Sequence, residues 1–285
     1  MKNFHTGRDI GSFNSDLAIE RHRINLSEDG VTLEKEERGA FLWERITVHT
    51  EEGERSIERP VGHYDTLTLP RSEFLSDSLI YDGADEISRE LCRMFDKNRI
   101  FPERLLVVGL GNRELTPDSV GPRTAALTEA TMHLKKLDPE SFYSFECSEI
   151  AVIAPGVAGE TGLETGVLIK ELCESIRPDA VIAIDAVASS SPSRLGNTVQ
   201  ISDTGIFPGS GLGLRQTPLN KEALGVPVIA IGVPTVINAK CFMEGDSRND
   251  DGNSMFVSPK DVDTVVKNAS RIIAFGINQA FGIFT

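Results

Sequence analysis

The feature that most constrains this chain is an apolar run that ends in glycines. Leu105, Leu106, Val107 and Val108 lead straight into Gly109-Leu110-Gly111-Asn112, and an acid, Asp118, follows after a short polar loop. A run of strand length that is apolar at every position belongs where both faces of a sheet are covered, the situation of a parallel strand in an α/β protein. In open α/β sheets, ligands and reactive groups collect beyond the carboxyl ends of the strands. Asp118 falls there and is the first candidate for chemistry. A second buried run, 180–184, closes on another acid, Asp185.

The rest of the chain extends this pattern. From about 100 to 235, strand and helix signals alternate. Helix is expected over 120–136, strand over 149–154, helix from Leu163 to Ile176, strands at 180–185 and 197–201, and a last buried run at 226–233. That alternation predicts a doubly wound, mostly parallel twisted sheet. Before it, 32–70 reads as a small antiparallel β subregion beside the main sheet, punctuated by Gly53, Pro60 and Gly62. Asp82 reads as the cap of a helix through Lys97. Pro259 falls in the first turn of a C-terminal helix that runs to about Phe281. No interdomain linker or internal repeat breaks the chain, so 17–285 reads as a single domain.

Composition excludes several classes. A net charge of −14 over 285 residues argues against binding nucleic acid, which needs clustered Lys and Arg. No apolar stretch approaches membrane-spanning length and no secretory h-region follows Met1. The expectation is an intracellular soluble protein. Four scattered cysteines without a Cys-x-x-Cys read as buried free thiols.

Chemistry narrows to carboxylates. There is no G-x-S-x-G or H-E-x-x-H, and all five histidines lie at or before His133, so nucleophile–histidine systems lack a partner near the strand ends. His63 is the most site-like of the five, set against a structural role. Asp118 and Asp185 are a candidate catalytic pair, in which one acid takes a proton from water and the other donates one. The alternative is that each caps a helix or anchors a loop. A loop with four glycines, 203–214, brings backbone close to something, either as a phosphate nest or as a substrate contact. Residues 239–257 read as a polar surface loop without EF-hand spacing. Residues 1–30 read as a mobile or loosely docked arm. Within it, Asp16-Leu17-Ala18 is either a protease cleavage site or an ordinary strand or helix cap.

Several stretches together resemble one family. Gly109-Leu110-Gly111-Asn112, Thr116-Pro117-Asp118-Ser119-Val120-Gly121-Pro122 and Ile184-Asp185-Ala186 are similar to the spore germination endopeptidases, as are Asp203-Thr204-Gly205-Ile206, Pro208-Gly209-Ser210-Gly211 and the segment 228–236. The resemblance implies an atypical aspartic endopeptidase that degrades small acid-soluble spore proteins, with Asp118 and Asp185 as its essential acids. It implies an α/β fold of the phosphorylase/hydrolase-like kind, related to the hydrogenase-maturation peptidases, and no cofactor or metal. It further implies a zymogen whose propeptide, 1–16, is removed by self-cleavage between Asp16 and Leu17, a homotetramer, and a place in the cytoplasm of the spore core. Gly109, Gly111, Asn112, Gly209, Ser210 and Gly211 are then candidates for a substrate or oxyanion loop. The chain is short for this family over 239–257. The rival is a hydrogenase-maturation endopeptidase, whose metal recognition needs a later histidine that this chain lacks. A noncatalytic α/β binding module is the alternative of a different class.

Overall fold

The computed structural model describes residues 15–24, 29–71, 75–144, 146–208, 217–242 and 255–283. Its centre is one mixed sheet. The strands are β1 (Val31–Arg38), β2 (Phe41–Val48), β3 (Gly62–Thr68), β4 (Arg104–Gly109), β5 (Glu149–Ile153), β6 (Ala180–Ser189), β7 (Thr198–Ser202), β8 (Val228–Asn238) and β9 (Phe256–Val257). They lie in the order β1-β2-β3-β7-β8-β6-β4-β5, with β9 on the end of β8. Pairing is parallel between β5 and β4, β4 and β6, and β6 and β8. It is antiparallel from β8 through β7 and β3 to β1. The α/β sheet expected from the alternation is therefore present. The antiparallel strands continue it edge to edge through the β3–β7 pair, where the sequence suggested a subregion packed beside it.

Helices cover both faces. They are α1 (Ala18–Ile24), α2 (Glu51–Ile57), α3 (Asp77–Lys97), α4 (Val120–Leu127), α5 (Leu134–Leu137), α6 (Pro139–Ser144), α7 (Ala158–Thr161), α8 (Thr165–Ile176), α9 (Lys221–Leu224) and α10 (Val262–Ala280). On one face α3 and α10 pack side by side, and Ile87, Leu91, Ile272 and Ile273 bury against Leu105, Ile182 and Ile231. On the other, Ile169 and Cys173 of α8 cover Val181 and Ala183. On that second face, farther along the sheet, Leu17, Ala18, Ile19 and Ile57 cover Ile46, Tyr64 and Val187. Each fully buried aliphatic side chain contributes roughly 1.5–3 kcal/mol relative to exposure, and β4, β6 and β8 are buried nearly throughout.

Local chemistry moved several boundaries. The helix expected to start at Asp82 starts at Asp77, because the Ser76 hydroxyl accepts from the Leu79 N–H. The helix expected over 120–136 breaks after Leu127, where the Thr124 and Thr128 hydroxyls turn onto carbonyls four residues back. Pro259 precedes the last helix, which begins at Val262. No helix among the described residues is long and apolar enough to cross a membrane.

Candidate active site

Strand β4 ends at Gly109, which pairs in register with Ile184 of β6. The next residue, Leu110, donates its N–H to the Ile184 carbonyl at 2.8 Å. The chain then turns through Gly111 at φ 109°, where a Cβ would lie 2.1 Å from the Asp118 carbonyl oxygen and 3.0 Å from Asp118 Oδ1. Glycine is required there both by the dihedral and by the contact. The Asn112 N–H donates to Asp118 Oδ2 at 2.7 Å. Pro117 opens the short 3-10 turn Thr116–Asp118, and α4 starts immediately after it. Gly121 lets α4 seat on both strands, since a side chain there would meet the Leu110 carbonyl at 2.2 Å and the Ile184 carbonyl at 2.6 Å.

Burial raises the pKa of Asp118, the Asn112 N–H opposes that rise, and the nearby Glu160 of α7 adds to it. The result is a carboxyl biased toward holding its proton. Asp185 sits in β6 opposite Gly232 of β8, on the face of Ala183 and Val187, and is 5% exposed. Its Oδ1 accepts the N–H of Ala186 at 2.9 Å. The 3-10 turn that carries Asp118 packs against β6 and β8. The elements holding the two acids are thus in contact at the carboxyl end of the parallel strands.

The N-terminal segment enters this region. The expectation of a loosely docked arm does not hold over 15–20: Leu17, Ala18 and Ile19 are fully buried. The Asp16 N–H donates to the Ala188 carbonyl at 2.9 Å, and Asp16 Oδ2 accepts the Ala188 N–H at 2.9 Å. The Gln200 side chain straddles the next peptide bond. Its Nε2 donates to the Asp16 carbonyl at 3.3 Å and its Oε1 accepts the Ala18 N–H at 2.8 Å. Gln200 is in register with Gly232, the strand partner of Asp185. Asp16, Arg59, Tyr64, Gln200 and Gly232 line a cavity of about 70 Å³. Burial lowers the pKa of Arg59, and the charge of Asp16 opposes that shift; its Nη2 donates to the Ser15 carbonyl at 2.5 Å.

Other expected sites resolve differently. The His63 ring contacts Asp203 Oδ2 at 2.7 Å, its N–H donates to Oδ1 at 2.8 Å, and Asn98 adds a third bond to that carboxylate. This cluster fixes the start of the glycine-rich loop. Gly205 is described, whereas Gly209, Ser210 and Gly211 lie outside the described residues. The cysteines are free, but only Cys173 is buried as expected; Cys147 and Cys241 are half-buried, and Cys92 is exposed on the solvent side of α3. Among the described residues no group of three or more His, Cys, Asp or Glu is arranged to hold a metal. Sequence reasoning missed Gln200, Arg59 and the serines at 189–191. A lone Gln in a weak strand and a Ser triplet after a buried one carry no motif.

The family model described as germination protease matches residues 14–247, most of the chain. The chain belongs to the germination protease family. It is accordingly an endopeptidase of germination. A germination protease of Clostridium perfringens (strain SM101 / Type A) is 36% identical over 312 aligned positions, covering 93% of this chain and 94% of that one. The germination protease of Geobacillus sp. (strain WCH70) is 41% identical, covering 80% of this chain and 64% of its own length. The [NiFe] hydrogenase maturation protease HycI from Thermococcus kodakarensis KOD1 superposes at a TM-score of 0.37 with 18% identity, over 66% of this chain and 99% of that one. That likeness is too distant to bear on function.

Proposed function

We propose that this germination protease starts the degradation of small acid-soluble spore proteins, and that it is made as a zymogen that cuts itself between Asp16 and Leu17. Asp118 and Asp185 divide the acid and base work. Asp185 takes a proton from water as its oxygen adds to the carbonyl. Asp118, biased by burial toward the protonated form, gives a proton to the leaving nitrogen as the C–N bond breaks. Exchange with solvent restores both acids. The protein works as a homotetramer in the cytoplasm of the spore core and uses no cofactor.

One observation carries this proposal. Asp16 is hydrogen-bonded through its N–H and its carboxylate to Ala188 of β6, three residues along the strand from Asp185, while Gln200 holds its carbonyl, so the bond to be cut lies one strand spacing, ~5 Å, from the strand of a candidate catalytic acid. Asp118→Asn and Asp185→Asn test it. Each should slow both self-cleavage and cleavage of a spore-protein substrate by about 10²–10⁴-fold, and mass spectrometry of the parent should find Leu17 as the new amino terminus. Unchanged cleavage in either variant defeats the two-acid mechanism. Loss of activity on chelation would restore a metal-dependent one.

A further inference from the structure

The most heavily bonded carboxylate in the N-terminal segment belongs to none of the groups assigned above. Glu20 is 5% exposed. Its Oε1 accepts from the Ser189 hydroxyl at 2.6 Å and the Ser191 N–H at 3.1 Å. Its Oε2 accepts from the Ser190 N–H and the Ser190 hydroxyl, both at 2.7 Å, and from the Ser15 hydroxyl. The turn at 189–191 alone thus supplies four donors, two to each oxygen, which matches the acceptor capacity of one carboxylate. A glutamine would turn an NH₂ toward two of those donors, and an aspartate is a methylene too short.

The turn is shaped by contacts that do not involve Glu20. The Ser191 carbonyl accepts the Arg194 N–H at 3.1 Å, and the Ser191 hydroxyl bonds the Ser193 hydroxyl at 2.8 Å. Just beyond, Arg194 is tied to the buried Glu44 of β2 at 2.5 Å. Gln200, by contrast, touches only backbone atoms of the segment, the Asp16 carbonyl and the Ala18 N–H. One fixed group therefore grips any peptide across a bond, and another accepts only a carboxylate one helical turn farther on.

We infer that the turn at 189–191 is a carboxylate subsite of the substrate groove, which selects peptides bearing a glutamate four residues beyond the bond to be cut. The segment 15–20 fills that groove as a substrate does. This rests on the proposed cut between Asp16 and Leu17, and its test is built so that the two can fail separately.

The probe is a fluorescent peptide with the sequence of residues 13–25, together with its Glu20→Gln and Glu20→Asp forms. Binding is read by anisotropy on the full chain carrying Asp185→Asn, to silence cleavage, and Glu20→Gln, to loosen its own segment. The parent peptide should bind about 10- to 100-fold tighter than either substituted form, the range for hydrogen bonds to a charged group. Ser190→Ala in the same chain should narrow that gap. A measurement that leaves Glu20 in place gives the same ranking: added to the Asp185→Asn chain, the parent peptide speeds amide exchange at Ala18 by displacing the segment, and the Gln form does not. Equal affinities, no binding, or a gap untouched by Ser190→Ala would overturn the subsite. Glutamate-selective binding without a cut between Asp and Leu in the active chain would instead overturn the proposed cleavage and leave the subsite standing.

Discussion

Replacing Gly111 by alanine separates two costs that usually arrive together. At φ 109° an L-residue is strained, and the new Cβ would stand 2.1 Å from the backbone carbonyl of Asp118. Strain of this kind costs about 1–2 kcal/mol. Relieving the overlap requires a shift of more than 1 Å in the Asp118 turn, and forced shifts in packed regions cost typically 1–3 kcal/mol. The sum is a loss of about 2–5 kcal/mol. Gly39 is the control, because it has φ 60° with no atom within 4 Å of a built Cβ, so Gly39→Ala carries the strain alone. Urea unfolding measures the difference between the two, and cleavage of a peptide substrate measures its consequence. Since Asp118 must move, the cleavage rate of Gly111→Ala should fall by about 10²-fold, the scale for a 1 Å misplacement, while Gly39→Ala keeps the parent rate. If the two variants unfold at the same urea concentration and cleave alike, the contact between Gly111 and Asp118 does not position the acid.

Glu44 is 1% exposed and pairs with the buried Arg194 and with Lys35, so Glu44→Ala strands a buried guanidinium and should cost about 3–5 kcal/mol in chemical denaturation; a loss under 1 kcal/mol would count against it. Asp65 and Glu90 share Arg93 inside the sheet–helix layer, and burial together with Glu90 pushes the Asp65 carboxyl up to about 8. A folded-state pKa above the unfolded value of 3.8 means stability that is full below about pH 4 and lost as the pH climbs toward 8. Asp65→Asn should therefore flatten the fall in Tm between about pH 4 and 8, and an unchanged slope would refute the raised pKa of Asp65. Because burial raises the pKa of Asp118, cleavage that needs its proton should decline as pH rises through that elevated value; a pH–rate profile with no descending limb assignable to Asp118 would remove it as the acid.

Long apolar runs were readable because burial on both faces leaves no room for polar residues. The strands carrying Gly109 and Asp185 follow from that alone, and the glycines between them from the closeness of α4. Short or polar elements were not readable. Helix α2 is held by the Thr50 cap and by burying Ile57, with little apolar pattern. The burial of 17–19 depends on a surface assembled from β2, β3 and β6, which no local window contains. Gln200 and the serines at 189–191 matter because of what reaches them from residues 16–20, some 170 to 184 positions away in sequence. Their neighbours in the chain hold no trace of that partner.

The place of β8 in the sheet has a consequence for timing. β8 joins the parallel strands to the antiparallel ones, and β3 reaches them only through β7. The first 70 residues therefore leave the ribosome long before the strands that complete their sheet, and contacts so distant in sequence form late. Residue 16 finds Ala188 and Gln200 only after some two hundred residues have been made. The proposed self-cleavage is gated by synthesis itself: the segment that is cut cannot reach its seat until the machinery that cuts it has been built.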